Sequence, residues 1–183
     1  MAATVKRPWT AEELDRLPQG WRYEIDEGEL VIMTLAGHRH GRLVVRIATL
    51  LNNFVEEHRL GEVNGGELGV YLREKPDTLR GVDVAFFSAE RARQIEDEIG
   101  FVRVPPDLAV EVHDPSEPDM ARKVQQYLQA GVRSVWVVDP EKHTLALHRP
   151  GQTPVIMTEL DALVEDPVLP GFSCRLQDLF GRA

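Results

Sequence analysis

The sequence predicts an α/β fold, and three observations lead there. Residues 104–140, VPPDLAVEVHDPSEPDMARKVQQYLQAGVRSVWVVDP, read as strand, helix, strand. A unit of that order and length (about 30 residues) is a βαβ crossover, whose two strands lie parallel and whose connection is right-handed. Residues 21–34 read as an antiparallel hairpin, and residues 38–58 as an amphipathic helix long enough to cover a sheet. At 183 residues, a single domain spanning 1–183 is the expected organisation.

In chain order, Thr10-Ala11-Glu12-Glu13 has capping-box spacing and opens a short helix that stops near Pro18. WRYEID and ELVIMT alternate apolar and polar residues around Glu27-Gly28, which predicts a hairpin with Glu24 and Asp26 on one face. From His38 to His58, Leu43, Ile47, Leu50, Leu51 and Phe54 recur at helical spacing, with Gly61 as the stop. Asn64-Gly65-Gly66 reads as a turn or a bulge. ELGVYLRE and RGVDVAFFS are strands joined near Lys75-Pro76-Asp77, and a short polar helix covers about 89–98.

In the βαβ unit, Leu108, Val110 and Val112 share one strand face, with Ala109, Glu111 and His113 on the other. A helix from about 118 to 130 ends at Gly131, and residues 134–138 form a near-continuous apolar strand. HTLALHR and PVIMTEL are further strands, and the tail LPGFSCRLQDLF ends in a short helix.

Hydrophobic content of 43% and charged content of 28% are those of a soluble globular chain. A lone cysteine, Cys174, cannot close an internal disulfide, and the N-terminus shows no leader pattern, so a cytoplasmic location is expected. No apolar run approaches the roughly 20 residues of a spanning helix, so a membrane role has no support in the sequence. The net charge of −9 disfavours a broad phosphate-binding surface, although a metal ion and a local Arg/Lys strip can act against that average.

Two carboxylates carry the chemistry. Glu111 and Asp83 each sit inside an apolar strand, where an ionised group must be paired, protonated or metal-bound. On adjacent strands they could share one Mg²⁺, which takes hard oxygen ligands and keeps waters. The alternative is that each pairs with an arginine at a strand end, such as Arg73, Arg80 or Arg103. Lys123 lies at the edge of the apolar stripe formed by Met120, Val124 and Leu128, from where it can reach over the strand of Glu111 or snorkel to solvent. His38, His40 and His113 lack a tight metal-binding spacing, and nothing in the spacing chooses between Glu24 and Glu29 as a third carboxylate. No phosphate-cradling glycine loop or nucleophile elbow occurs.

Taken together, TAEELDRLP, RYEIDEGELVIM, His40 before a long helix, Asp83, PPDLAVEV and KVQQYLQAGVRSVWVVDP resemble the Uma family of restriction endonucleases, within the PD-(D/E)xK nuclease superfamily. The resemblance covers nearly the whole chain. It implies a restriction-endonuclease-like core, a central mixed β-sheet flanked by helices, carrying a Mg²⁺- or Mn²⁺-dependent site that hydrolyses nucleic-acid phosphodiesters, DNA above all. Position by position, Asp83 matches the Asp of the PD motif and Glu111 the acidic residue of (D/E)xK, so these two are the implied metal ligands. Lys123 matches the lysine displaced to the following helix, His40 the histidine before the long helix, and Glu24 and Glu29 the glutamates of the early hairpin. Two departures stand out: Val82 replaces the Pro before Asp83, and His113 replaces the Lys two residues after Glu111. The second leaves open a catalytically inactive module that keeps the fold for nucleic-acid binding or assembly. A homodimer is expected because such nucleases often cut two strands as a pair, with the apolar tail as the contact.

Overall fold

The structure is a computed structural model and describes residues 7–14, 16–18, 22–96, 99–115 and 119–181. Trp21, Ser116, Pro118, Asp97 and Glu98, which belong to predicted elements or their boundaries, lie outside the described residues. A mixed sheet flanked by helices is the frame, as the sequence implies.

The chain runs α1 (Ala11–Leu14), β1 (Arg22–Asp26), β2 (Glu29–Met33), α2 (His38–His58), β3 (Gly61–Arg73), β4 (Thr78–Ser88) and α3 (Ala89–Ala92). It continues with β5 (Leu108–Val112), α4 (Met120–Gln129), β6 (Ser134–Asp139), β7 (Thr144–His148), β8 (Val155–Thr158), β9 (Ala162–Asp166), β10 (Leu169–Arg175) and α5 (Leu176–Phe180). The large sheet is ordered β2-β1-β4-β5-β6-β7-β8, with β3 on the other edge of β4, and β9 and β10 form a separate hairpin. Strands β5 and β6 pair in parallel, Glu111 opposite Val137, as the βαβ reading requires.

Each face of the sheet has its own core. On one, α2 lays Leu43, Ile47, Leu51 and Val55 over Phe86, Val110, Val112 and Trp136. Fully burying such side chains stabilises by about 1.5–3 kcal/mol each, which anchors a helix whose first turn carries no acidic residue to suit its dipole. On the other face, α4 packs Val124 and Tyr127 against Ala85, Phe87, Ala109 and Val135. The tail residues Leu169, Phe172, Leu176, Leu179 and Phe180 are buried in the α2-side core. This corrects the expectation that the tail is free for self-association: its apolar side chains are consumed within the same chain.

Two boundaries differ from the sequence reading. Arg59, not Gly61, takes the left-handed conformation that ends α2. Gly61 opens β3 instead, and a Cβ there would meet Phe87 O at 2.0 Å, so only glycine lets the two strands approach. β3 therefore starts six residues before the predicted Glu67 and carries the Gly65-Gly66 segment inside it as a bulge, where the register slips between Gly65 and Leu68.

Candidate active site

The topology forks at the site. β3 occupies one edge of β4 along its length, so β1 and β5 must share the other: Ile25 of β1 pairs with Leu79, and Val110 of β5 with Val84. Between those contacts β4 presents Arg80, Gly81, Val82 and Asp83 where β1 and β5 diverge. Backbone N–H groups at such a fork lose ladder partners and must find others. Two carboxylates supply them: Glu24 Oε1 accepts from Gly81 N at 2.9 Å, and Asp83 Oδ2 accepts from Val112 N at 2.8 Å. The strand alternation also slips at Asp83. Val82 packs with Ala85 and Phe87 on the α4 side, while Val84 and Phe86 pack on the α2 side.

Asp83 is 5% exposed and Glu111 2% exposed, and both line one cleft of about 300 Å³ with Glu24, His40 and Lys123. Lys123, itself buried on α4, brings its Nζ to 2.9 Å from Glu111 Oε2 and 3.2 Å from Glu24 Oε1. Tyr127, one turn later, donates its OH to Glu111 Oε1 at 2.6 Å. Burial, reinforced by the charge of Glu111, pushes the Tyr127 phenol well above its usual range, so it remains a donor. His40 Nε2 stands 3.0 Å from Asp83 Oδ1, and this hydrogen bond raises the imidazole above its ordinary value despite opposing burial.

Behind this layer, Arg80 pairs with Glu24 Oε2 and Asp26 Oδ2, both at 2.9 Å, and donates through Nε to Gln126. Gln126 in turn donates to Asp26 at 2.7 Å. Burial alone would raise Asp26, but the Gln126 and Arg80 contacts outweigh it and hold the carboxyl below its usual value. The arginines named as alternative partners are spent elsewhere: Arg73 pairs with Glu27 and Arg103 with Glu74.

The sequence candidates thus separate. Asp83, Glu111, Lys123, His40 and Glu24 converge on one cleft. Glu29 does not join them. It pairs in register with Asp26, a step nearer the hairpin turn than the Glu24–Val31 pair, and is exposed in a different cleft with Arg7 and Trp9. His38 is exposed in the first turn of α2, and His113 is not part of the cleft lining.

Two contributors escaped the sequence reading. Tyr127 is fully buried, and its i, i+4 relation to Lys123 is the one local hint that both face Glu111. Glu67 read as the first residue of a strand, whereas the bulge turns it toward Asp83. Its carboxylate, Asp83 and His40 offer ligand atoms that all lie within 4.8 Å of one another. The Gly65-Gly66 pair was the available signal.

The donor set suits a hard divalent cation. Among the described residues lining the cleft, Glu24, Asp83, Glu111 and Asp114 stand with the fixed cations Arg22 and Lys123, so acids outnumber fixed positive charges. Carboxylate oxygens hold two lone pairs each, so Asp83 and Glu111 retain acceptor capacity beyond their present hydrogen bonds.

Comparison with known proteins agrees with this architecture. A family model, Uma2, described as "Putative restriction endonuclease", matches residues 11–177. The crystal structure of "a putative nuclease belonging to DUF820" from Anabaena variabilis superposes with a TM-score of 0.78 at 24% identity, covering 94% of this chain and 98% of that one. No curated protein matches the chain significantly. Among the described residues, no helix is long and apolar enough to cross a membrane.

Proposed function

The chain belongs to the Uma2 family, and on that premise we propose that it is a Mg²⁺- or Mn²⁺-dependent nuclease that hydrolyses phosphodiester bonds of DNA. The observation that carries this is the buried Lys123–Glu111 pair beside Asp83 in a single acid-rich cleft. Asp83 and Glu111 would hold the cation. When bound, it supplies Lewis-acid polarisation of a phosphoryl oxygen and a more acidic water.

The protein's own groups do the rest. Lys123, braced between Glu111 and Glu24, has its ammonium fixed in the cleft, where it can donate to the attacking water and to the charge that builds on the phosphate. Tyr127 and His40 fix the carboxylates of Glu111 and Asp83 by hydrogen bonds, sparing the cost of ordering them during the reaction. The water oxygen bonds to phosphorus, its proton passes to solvent, the ester P–O bond breaks, and the leaving oxygen takes a proton from solvent.

His113 in place of the usual lysine does not by itself argue for an inactive module, because Lys123 reaches Glu111 from α4. A nucleic-acid substrate for a −9 chain is supported by α2: from His38 through Val55 it holds Arg39, Arg42 and Arg46 and no acidic residue, and it starts at the cleft.

The test is cleavage of supercoiled plasmid by purified protein with Mg²⁺ or Mn²⁺, beside Asp83→Ala and Lys123→Ala. Loss of nicking in both variants supports the assignment. Equal nicking by all three would assign the activity to a contaminant.

A further inference from the structure

We propose that Glu67 is a ligand of the same divalent cation, and that Arg22 is the counterion it holds until the cation arrives. This rests on the reading that Asp83 anchors a cation. Glu67 stands on the bulge of β3 directly opposite Asp83, in the left-handed conformation at φ 63°, which is uncommon for a residue with a side chain. The bulge inserts it between Gly65 and Leu68. A Cβ on Gly81 would lie 3.6 Å from both Glu67 Cβ and Glu24 Oε1, so Glu67 and Glu24 flank the same glycine of the cleft wall.

Two carboxylates within 4.8 Å repel unless a cation lies between or beside them. In the structure Glu67 has Arg22, which also lines the cleft, while His40 hydrogen-bonds Asp83. Arg22 is otherwise lightly held: one bond to Thr34 O is 3.3 Å, and its buried Nε has no partner. A divalent ion on Asp83 makes the guanidinium redundant as a counterion, so Glu67 exchanges Arg22 for the ion. The released guanidinium, already at the cleft wall, is placed to take a non-bridging phosphate oxygen, since a planar fork of donors matches phosphate.

Calorimetric titration of the full chain with Mn²⁺ tests this without any turnover. Glu67→Gln is expected to weaken Mn²⁺ binding by roughly tenfold or more, Glu67→Asp by less, and Arg22→Ala to tighten it several-fold because a competitor is gone. Melting curves without Mn²⁺ establish that each variant is folded, and Arg22→Gln, which loses the charge but keeps a long polar side chain, serves with the same expected tightening if Arg22→Ala is not. Unchanged affinity in Glu67→Gln, with binding abolished in Asp83→Asn, overturns the Glu67 assignment and leaves the cation on Asp83. Weaker binding in Arg22→Ala overturns the exchange. Wild-type protein that binds no Mn²⁺ overturns the cation reading itself.

Discussion

Lys123 Nζ and Glu111 Oε2 lie 2.9 Å apart with their side chains 4% and 3% exposed, so α4 and β5 meet through a buried ion pair. Removing one member of such a pair leaves an uncompensated buried charge, at a cost of about 3–5 kcal/mol, whereas replacing both by apolar groups is often neutral. Lys123→Met is therefore expected to lower the melting temperature sharply and to reduce plasmid nicking by about 10²–10³-fold. Adding Glu111→Leu should recover much of the stability and none of the activity. A double variant that cleaves like wild type would remove the pair from the mechanism.

The early hairpin offers a second discrimination. Glu24 accepts from Gly81 N, Arg80 and Lys123, while Glu29 is exposed at the far end of the neighbouring strand. Glu24→Gln keeps the shape but removes the charge facing two buried cations, so both stability and cleavage should fall, stability by about 1–3 kcal/mol. Glu29→Gln is expected to change neither by more than about twofold in rate or roughly 0.5 kcal/mol. Chemical denaturation and nicking assays on the two variants side by side check this.

Why Glu24 and not Glu29 could not be read from the sequence is a matter of distance along the ladder. Both lie on one face of the β1–β2 ribbon, as Glu24 pairs with Val31 and Asp26 with Glu29. Alternation reports the face and is silent on which pair abuts β4. The βαβ unit, by contrast, was legible in full, because apolar strands, a helical stripe and a terminating glycine each have a local cause. Asp83 and Glu111 were legible for the same reason, as charges where local pattern demands apolar residues. The placement of Glu67 and Tyr127 was not, since it comes from a bulge register and a helix-to-strand contact that no local pattern encodes. The β9 strand was missed likewise: it pairs only with β10, and its placement is a tertiary outcome.

Away from the cleft, Asp77 ties α1 to the turn before β4. Its Oδ2 accepts from Ala11 N at 3.0 Å and its Oδ1 from Lys75 N at 3.3 Å. Burial on its own would raise this carboxyl, but the Ala11 N–H, the Tyr71 hydroxyl and the Lys75 N–H together hold it below the ordinary value of 3.8. A carboxyl with a depressed folded pKa contributes stability that is fully present above its unfolded pKa and is lost as pH falls through the folded one. Wild type is thus expected to exceed Asp77→Asn by a constant margin above about pH 5, with the gap closing as the pH drops below 3.8. Urea denaturation at a series of pH values reads this directly, and a gap that widens on acidification would contradict it.

On the proposed nuclease reading, a strand of nucleic acid whose phosphate enters the cleft is expected to continue along α2. Arg39 and Arg42 are exposed on the first turns of α2, one turn apart, and neither is paired with a carboxylate among the described residues. Most arginines of this acidic chain are so paired, as Arg73, Arg80, Arg103 and Arg122 illustrate. An exposed cation without a carboxylate partner is available to phosphate, and each phosphate it neutralises releases a counterion. Arg39→Ala and Arg42→Ala are expected to weaken binding of duplex DNA uniformly across sequences, measured in Ca²⁺ to prevent turnover. The slope of log affinity against log salt should become shallower by about 1 per lost contact. Mn²⁺ affinity and melting temperature should stay at wild-type values, since neither side chain touches the acid cluster. An unchanged salt slope would move the strand off α2 and leave the cleft chemistry as it stands.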